Sequence, residues 1–318
     1  MTLKEVCAQL NAQVTTFLSS APPDDVTRRT QEQTRIAMGV VERAVREYSF
    51  EHVSLSYNGG KDCLVLLIIY LAVLHSHFTG TREETMAGEQ QQGGEEQTQG
   101  ENFPTSIPSI YAKPPDPFPA VTSFVDYSSA LYHLDLTHIS TNPGPNKKQR
   151  SHSNPPLTQP PPKFDASQYQ QANGGGHDLP AMKPIVSFRD AFALYLDKHP
   201  QVQAIFVGTR RTDPHGGHLT HFDATDHNWP AFMRVHPVID WRLEEIWCFL
   251  RSPCLKDLRT GGPLLYCSMY DEGYTSLGGV NDTVRNPYLK FRDPDTGEDR
   301  YRPAYEMRRD DGERLGRE

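Results

Sequence analysis

His52-Val53-Ser54-Leu55-Ser56-Tyr57 runs directly into Asn58-Gly59-Gly60-Lys61-Asp62, and then into CLVLLIIYLAVL over residues 63–74. The first six residues are a short β-prone run, and the twelve apolar residues after the glycines suit a helix buried on every side. This order reads as strand, glycine turn, buried helix. Glycines at 59 and 60 open backbone conformations closed to other residues, so several N–H groups can face an anion. The start of the following helix adds partial positive charge. Such a turn suits a polyphosphate. Lys61 adds a mobile cation, Asn58 can donate through its amide, and Asp62 can order Mg²⁺ or its waters against phosphate oxygens. The plainer alternative is a tight turn in which Asn58 and the glycines satisfy geometry and Asp62 favours the helix dipole. The letters fit neither the GxxxxGK[ST] phosphate loop nor the GxGxxG dinucleotide turn.

Outward from this stretch, apolar positions at 36, 40, 41, 44 and 45 predict an amphipathic helix over residues 26–48. Downstream, IPSIYA (107–112) predicts a strand, PAVTSFVDYSSALY (119–132) a helix and LDLTHIS (134–140) a strand. A stripe at Phe188, Phe192, Tyr195 and Leu196 predicts a further helix, AIFVG (204–208) a strand, RVHPVID (234–240) a fifth strand, and WRLEEIWCFLR (241–251) a helix. Alternating strands and helices favour an α/β, Rossmann-like, mostly parallel sheet with helices on both faces. Residues 81–102, rich in Gln, Glu and Gly, and residues 142–176, with PPLTQPPP and GGG, offer little to bury and are expected to be disordered insertions in a single domain spanning 1–318. Residues 290–318 are charged and aperiodic, the ordinary signature of a loose tail.

A hydrophobic fraction of 36% is low for a wholly compact enzyme, as the two polar insertions require. A net charge of -8 argues against broad nucleic-acid binding. The five cysteines form no CxxC pair and their number is odd, which fits a reducing compartment. The N-terminus has no long apolar core behind a basic start, and the run at 63–74 is too short to span a bilayer. The expectation is a soluble cytoplasmic monomer whose partners are small molecules, with neither nucleic acid nor membrane among them.

A strand ending in S-x-N-G-G-K-D resembles the PP-loop of the ATP pyrophosphatases, the superfamily that includes PAPS reductases. A second signature narrows the likeness. GTRRTDPHGGHL (208–219) and TDHNWPAFMRVHPVIDW (225–241) resemble the flavin-binding half of eukaryotic FAD synthases, and YCSMYDEGYTSLGG (266–279) and Asn286-Pro287 continue the pattern. The tail ERLGR (313–317) resembles that family's terminal ERAGR. The resemblance implies an adenine nucleotide alpha-hydrolase-like fold with a C-terminal flavin-binding segment at about 208–318. It also implies a Mg²⁺-dependent reaction in which FMN and ATP give FAD and pyrophosphate. A phosphate monoester with a second pKa of about 6 is mostly dianionic at pH 7 and can attack without a general base. The difficulty is bringing two anions together, which fixed cations, backbone donors and in-line positioning address.

By the resemblance, Ser56, Asn58, Gly59, Gly60, Lys61 and Asp62 hold ATP, and Asp62 also serves Mg²⁺. Arg210 and Arg211 follow a buried strand at the end where α/β sheets bind ligands, which favours a phosphate role over salt bridges to neighbouring carboxylates. Asp213 lies near the reacting phosphates, and Arg314 and Arg317 fold back to neutralise them; with Asn58 and Asp62 these are the expected catalytic residues. Asp226 faces the flavin, Trp229 and Phe232 offer it apolar surface, and Tyr274 and Thr275 close its pocket. His215, His218, His221 and His227 read as loop histidines rather than a Zn²⁺ site, for want of a helix-borne pair or a nearby cysteine. Cys63 is expected to pack as a small apolar residue. A sulfonucleotide reductase shares the sheet but needs a cysteine near its C-terminus, whereas the last here is Cys267. A tRNA-thiolating enzyme needs cysteine pairs and a basic surface, which are not evident. A non-catalytic nucleotide or flavin sensor is the remaining alternative.

Overall fold

In a computed structural model, which describes residues 1–89, 103–141, 186–226 and 228–317, two helices precede the quoted stretch. They are α1 (Leu3–Ser19) and α2 (Asp25–Tyr48). Thr2 and Glu5 form a reciprocal capping box at the start of α1, and Asp24 accepts from Thr27 N–H at the start of α2, so each helix begins where a side chain takes an otherwise orphaned donor. α1 is not among the elements expected from the sequence. Ile36, expected on the apolar face of α2, is exposed, while Val40, Val41, Ala44 and Val45 are buried.

β1 (Val53–Ser56) then leads through the turn into α3 (Lys61–Glu89). Every residue from 64 to 74 is fully buried, because α3 packs against α1, α2 and α6 (Leu243–Leu250) as well as the sheet. At about 1.5–3 kcal/mol per large apolar side chain, this helix contributes a major share of the core. Two expectations are corrected here. The apolar run belongs to a segment, Lys61–Gly80, that is long and apolar enough to cross a membrane, with 67% of its most apolar window buried inside the protein. Residues 81–89, assigned to an insertion, continue the helix; the rest of that stretch and residues 142–176 lie outside the described residues.

β2 (Ile107–Lys113), α4 (Pro119–Leu131), β3 (Leu134–Ser140), α5 (Phe188–Lys198) and β4 (Ala204–Phe206) follow the predicted alternation. β5 (Phe222–Ala224) and β6 (Met233–Val235) complete a six-stranded sheet in the order β3-β2-β1-β4-β6-β5. All its pairs are parallel except β5 with β6. The fifth strand is shorter than expected, ending before His236-Pro237, since proline has no N–H for a ladder. Period-two alternation divides the strands between two cores. Val53, Leu55, Ala204 and Phe206 join the large cluster with α1, α2, α3 and α6, whereas Ile110 and Ile205 join a smaller one under α5. Ser54, on the α5 side, is polar but satisfied, 2.6 Å from the hydroxyl of Tyr195.

The C-terminal segment is not a loose tail. β7 (Lys290–Arg292) and β8 (Asp299–Tyr301) form a hairpin, and the last residues return so that Val284 N–H donates to Gly316 C=O at 2.8 Å and Thr283 bridges Arg317. Backbone pairing to a distant loop is a signal that side-chain periodicity does not carry.

Candidate active site

The turn at the carboxyl end of β1 is held from both sides. Tyr57 N–H extends the sheet by donating to Ile110 C=O at 2.9 Å, and its hydroxyl donates to Ser128 at 2.8 Å. Gly59 has φ 74°, and a Cβ there would lie 2.8 Å from Val125 Cγ2, so sterics and backbone both require glycine. Asn58 Oδ1 accepts from Gly60 N–H at 2.9 Å, and Lys61 N–H donates to the hydroxyl of Tyr270 at 2.9 Å. Two N–H groups of the turn are therefore already engaged. The Asn58 contact is exposed, within reach of an incoming anion; the Tyr270 contact is buried. Gly208, past β4, lets that loop meet the first turn of α3, since a Cβ there would lie 2.9 Å from Cys63 Sγ.

The expected cations are spoken for. Lys61, 2% exposed, pairs with Asp62 at 3.0 Å and with Glu313, and donates to Thr275 C=O at 3.2 Å, so it is a fixed charge rather than a mobile one. Arg210, 1% exposed, meets a different carboxylate with each nitrogen: Asp62 at 2.7 Å, Asp310 at 3.1 Å, and Glu313. The salt-bridge alternative for Arg210 is thus realised here. The Arg210 Nε and Asp62 Oδ1 atoms sit at charge-contact distance yet neither completes an aligned hydrogen bond. Burial pushes the Asp62 pKa up, but Arg210 and Lys61 outweigh it and hold the carboxyl below its ordinary range. Burial likewise opposes the charge on Lys61, and Asp62 and Glu313 reverse that, so its pKa is raised. Two buried cations, Lys61 and Arg210, are thus held among three carboxylates, Asp62, Asp310 and Glu313.

Asp213 ties the loop after β4 to the tail: one oxygen accepts from Arg210 N–H at 2.9 Å and the other from Arg314 at 2.9 Å. Arg314 is 46% exposed, a cation at the rim. Arg317 is half-buried, 3.8 Å from Asp282. Arg211 turns to Asp240 at 2.6 Å and to the carbonyls of Gly217 and Leu219. Burial pushes the Cys63 thiol up to about 12, consistent with packing rather than chemistry.

The residues expected at the flavin divide into two groups. Thr275 is buried beside the turn; its hydroxyl donates to Glu313 C=O and accepts from Asn286 at 2.9 Å. Tyr274 packs on Phe118 with centroids 5.4 Å apart. Trp229 and Phe232 instead sit in the α5 core, Phe232 stacked on Phe192 at 5.6 Å and Trp229 meeting Phe192 at 5.9 Å, with Asp226 exposed beside them. No ring contact joins the two groups among the described residues.

A model of the phosphoadenosine phosphosulfate reductase domain matches residues 52–285. The chain is 33% identical over 301 residues to a probable FAD synthase of Schizosaccharomyces pombe, covering 95% of this chain and 84% of that protein. The chain belongs to the FAD synthase family. Flavin adenine dinucleotide synthase of Saccharomyces cerevisiae is 30% identical over 239 residues, 75% of this chain and 60% of its own length. In fold, the chain is similar to Candida glabrata FMN adenylyltransferase crystallised with FMN and the ATP analog AMPCPP, with a TM-score of 0.71, 22% identity and 100% coverage of both chains.

Of the residues that build this site, Tyr270, Asn286 and Glu313 lie in the motifs quoted above without an expected role, and Asp310 lies outside them. Asn286 donates to Thr275 and to the Gly312 and Glu313 carbonyls, so the asparagine-proline pair fastens the tail. Asp310 accepts from Leu243 N–H at 2.8 Å at the start of α6 while pairing with Arg210. The motif positions of Tyr270, Asn286 and Glu313 are visible in the sequence; nothing there points to Asp310.

Proposed function

We propose that this chain is an FMN adenylyltransferase: the FMN phosphate attacks the α-phosphorus of ATP, a new phosphoanhydride bond forms, and pyrophosphate leaves with the electron pair of the broken bond. The observation that carries this reading is the ion-pair cluster of Lys61, Asp62, Arg210 and Glu313, which joins the glycine turn, the loop after β4 and the C-terminal segment, in a family whose relatives bear that activity in their names. In this reading Ser56, Asn58, Gly59 and Gly60 face the triphosphate, and Lys61 and Arg210 position Asp62. Asp213 orients Arg314, which with Arg317 neutralises the reacting phosphates. Arg211, paired with Asp240, serves the rim of the ATP site.

Magnesium is bound by one or two carboxylates together with substrate phosphates, and it neutralises charge on them. Asp62 fits such a role: it is ionised, and Oδ1 lacks an aligned hydrogen bond. Asp62 would be the protein's carboxylate toward a Mg²⁺ held mainly by nucleotide phosphates, and the ion would supply charge neutralisation there. For the flavin, Trp229 supplies the half-exposed surface and Phe232 supports it through Phe192, with Asp226 at its edge and Tyr274 and Thr275 at the phosphate end.

A reductase reading loses ground because Cys267, the last cysteine, is buried and its thiol is pushed up to about 11 by burial. All five cysteines are unpaired, which supports a reducing compartment and a cytoplasmic location, and the acidic balance supports small-molecule partners and a monomer. The decisive experiment incubates purified protein with FMN and MgATP and measures FAD and pyrophosphate. Equimolar products are expected, and Asp62→Ala is expected to abolish them while leaving the circular dichroism spectrum unchanged. Binding of FMN and ATP without FAD favours a sensor, and full activity in Asp62→Ala removes Asp62 from the site.

A further inference from the structure

Asp116 lies in the connection from β2 to α4, at the same end of the sheet as the glycine turn, because β2 runs beside β1 and parallel to it. Its hydrogen bonds among the described residues all run to one loop. The carboxylate accepts twice from Asn281, from the main-chain N–H at 2.9 Å and from the side-chain amide, and the Asp116 C=O accepts from Val280 N–H at 2.8 Å. Pro117 bridges Gly279 beside them. A Cβ at Gly279 would collide with the Asp116 carboxylate, so the loop can come this close only as glycine. Apolar burial does little to fix the loop, since Val280 is 49% exposed. Hydrogen bonds to a carboxylate are the stronger kind, and here they set where residues 279–281 stand.

On either side of these latched residues, Gly278 and Asp282 bracket Arg317. A Cβ at Gly278 would fall on the Arg317 guanidinium, which therefore occupies the space that the glycine leaves. Asp282 is 3.8 Å from Arg317 and also accepts from Gly279 N–H at 3.0 Å and from the Thr283 hydroxyl at 2.7 Å. A partly exposed ion pair at that distance contributes little by itself. The shape of the loop is what seats the arginine.

We propose that Asp116 is a positioning residue for the adenylyl transfer: it latches residues 279–281 to the end of the sheet and thereby places the seat from which Arg317 meets the reacting phosphates. This inference rests on the assignment of Arg317 to those phosphates. In this role the Asp116 carboxylate serves as a hydrogen-bond acceptor, and its charge takes no part in the reaction.

Steady-state FAD formation by the full-length protein tests the role in Asp116→Ala, Asp116→Asn, Arg317→Ala and the double variant Asp116→Ala/Arg317→Ala. A small misplacement of a group that acts in the transition state can cost about 100-fold, so Asp116→Ala is expected to lower kcat roughly 10- to 100-fold with little change in KM for ATP. Asp116→Asn keeps an oxygen for both Asn281 donors and is expected to stay within about threefold of the parent. In the Arg317→Ala background, Asp116→Ala is expected to cost less than about threefold, because residues that act as one unit are not additive. Gly278→Ala fills the seat without touching Asp116, and its new methyl meets only the ends of the Arg317 and Asp282 side chains. It is expected to match the kcat loss of Arg317→Ala with Tm within about 2 °C of the parent, and it carries the test on its own if Asp116→Ala does not fold.

Losses that multiply in the double variant overturn the positioning role and leave Arg317 in the site. So does an Asp116→Asn variant as slow as Asp116→Ala, or full turnover in Gly278→Ala. Full turnover in Arg317→Ala overturns the role by removing Arg317 from the reaction, and a parent that forms no FAD overturns the activity and this role together.

Discussion

The hydroxyl of Tyr270 accepts the main-chain N–H of Lys61 at 2.9 Å across a sequence separation of 209 residues. The N–H groups of a helix's first turn have no partner within the helix, so this one is satisfied from the C-terminal half of the chain. The phenol is fully buried, its pKa is raised by burial, and its ring also lies 5.7 Å from the Lys61 ammonium. Tyr270 therefore fixes both the direction of the turn and the seat of Lys61. Tyr270→Phe keeps the ring and strands the donor, at a cost of about 1–3 kcal/mol. The expected outcome is a KM for ATP raised roughly tenfold with a smaller change in kcat, measured by steady-state FAD formation. An unchanged KM would show that the turn holds its shape without the phenol.

Glu313 and Arg314 are neighbours with opposite tasks. Glu313 is buried and accepts from both Lys61 and Arg210, while Arg314 is exposed and, among the described residues, paired to Asp213 alone. Breaking a buried pair leaves uncompensated charge and costs about 3–5 kcal/mol, whereas an exposed pair is worth about 0–1. Glu313→Gln is expected to lower Tm by about 10 °C. Arg314→Ala is expected to leave Tm within about 2 °C of the parent while FAD formation falls roughly 100-fold. Thermal denaturation and turnover on the same preparations separate the two. Equal Tm losses would mean that the tail docks through both residues alike.

The contrast between these residues also shows what a sequence can carry. The quoted stretch held the fold because its signals were local: a strand, two glycines and an all-apolar helix, each legible within a dozen residues. Boundaries failed where partners were distant. β5 owes its existence to antiparallel pairing with β6, and the tail owes its order to Gly316 and Arg317 returning to Val284 and Thr283. The site was legible by type more than by role. Arg210 follows a buried strand where a phosphate ligand is expected, yet whether a guanidinium meets phosphate or carboxylate depends on Asp310 and Glu313, which lie 100 and 103 residues away.

His236 gives the pH dependence. It follows β6 with both ring nitrogens buried and without hydrogen-bond partners. Burial lowers its pKa from 6.5 to about 4, with Arg234 adding to the fall; Asp223 and the Val207 backbone oppose it, and His221 adds the smallest push downward. The unfolded chain takes up this proton near pH 6.5, and the folded chain only near 4. The unfolded state thus binds more protons between those values, and stability declines as pH falls through that window. The loss attributable to this residue approaches about 3 kcal/mol at pH 4. His236→Met preserves much of the volume and strands no hydrogen bond, so urea midpoints taken between pH 7.5 and 4.5 should fall less steeply in the variant than in the parent. Parallel curves would assign the acid sensitivity elsewhere, to carboxyls held below their ordinary range such as Asp62, whose protonation also weakens the fold as pH falls.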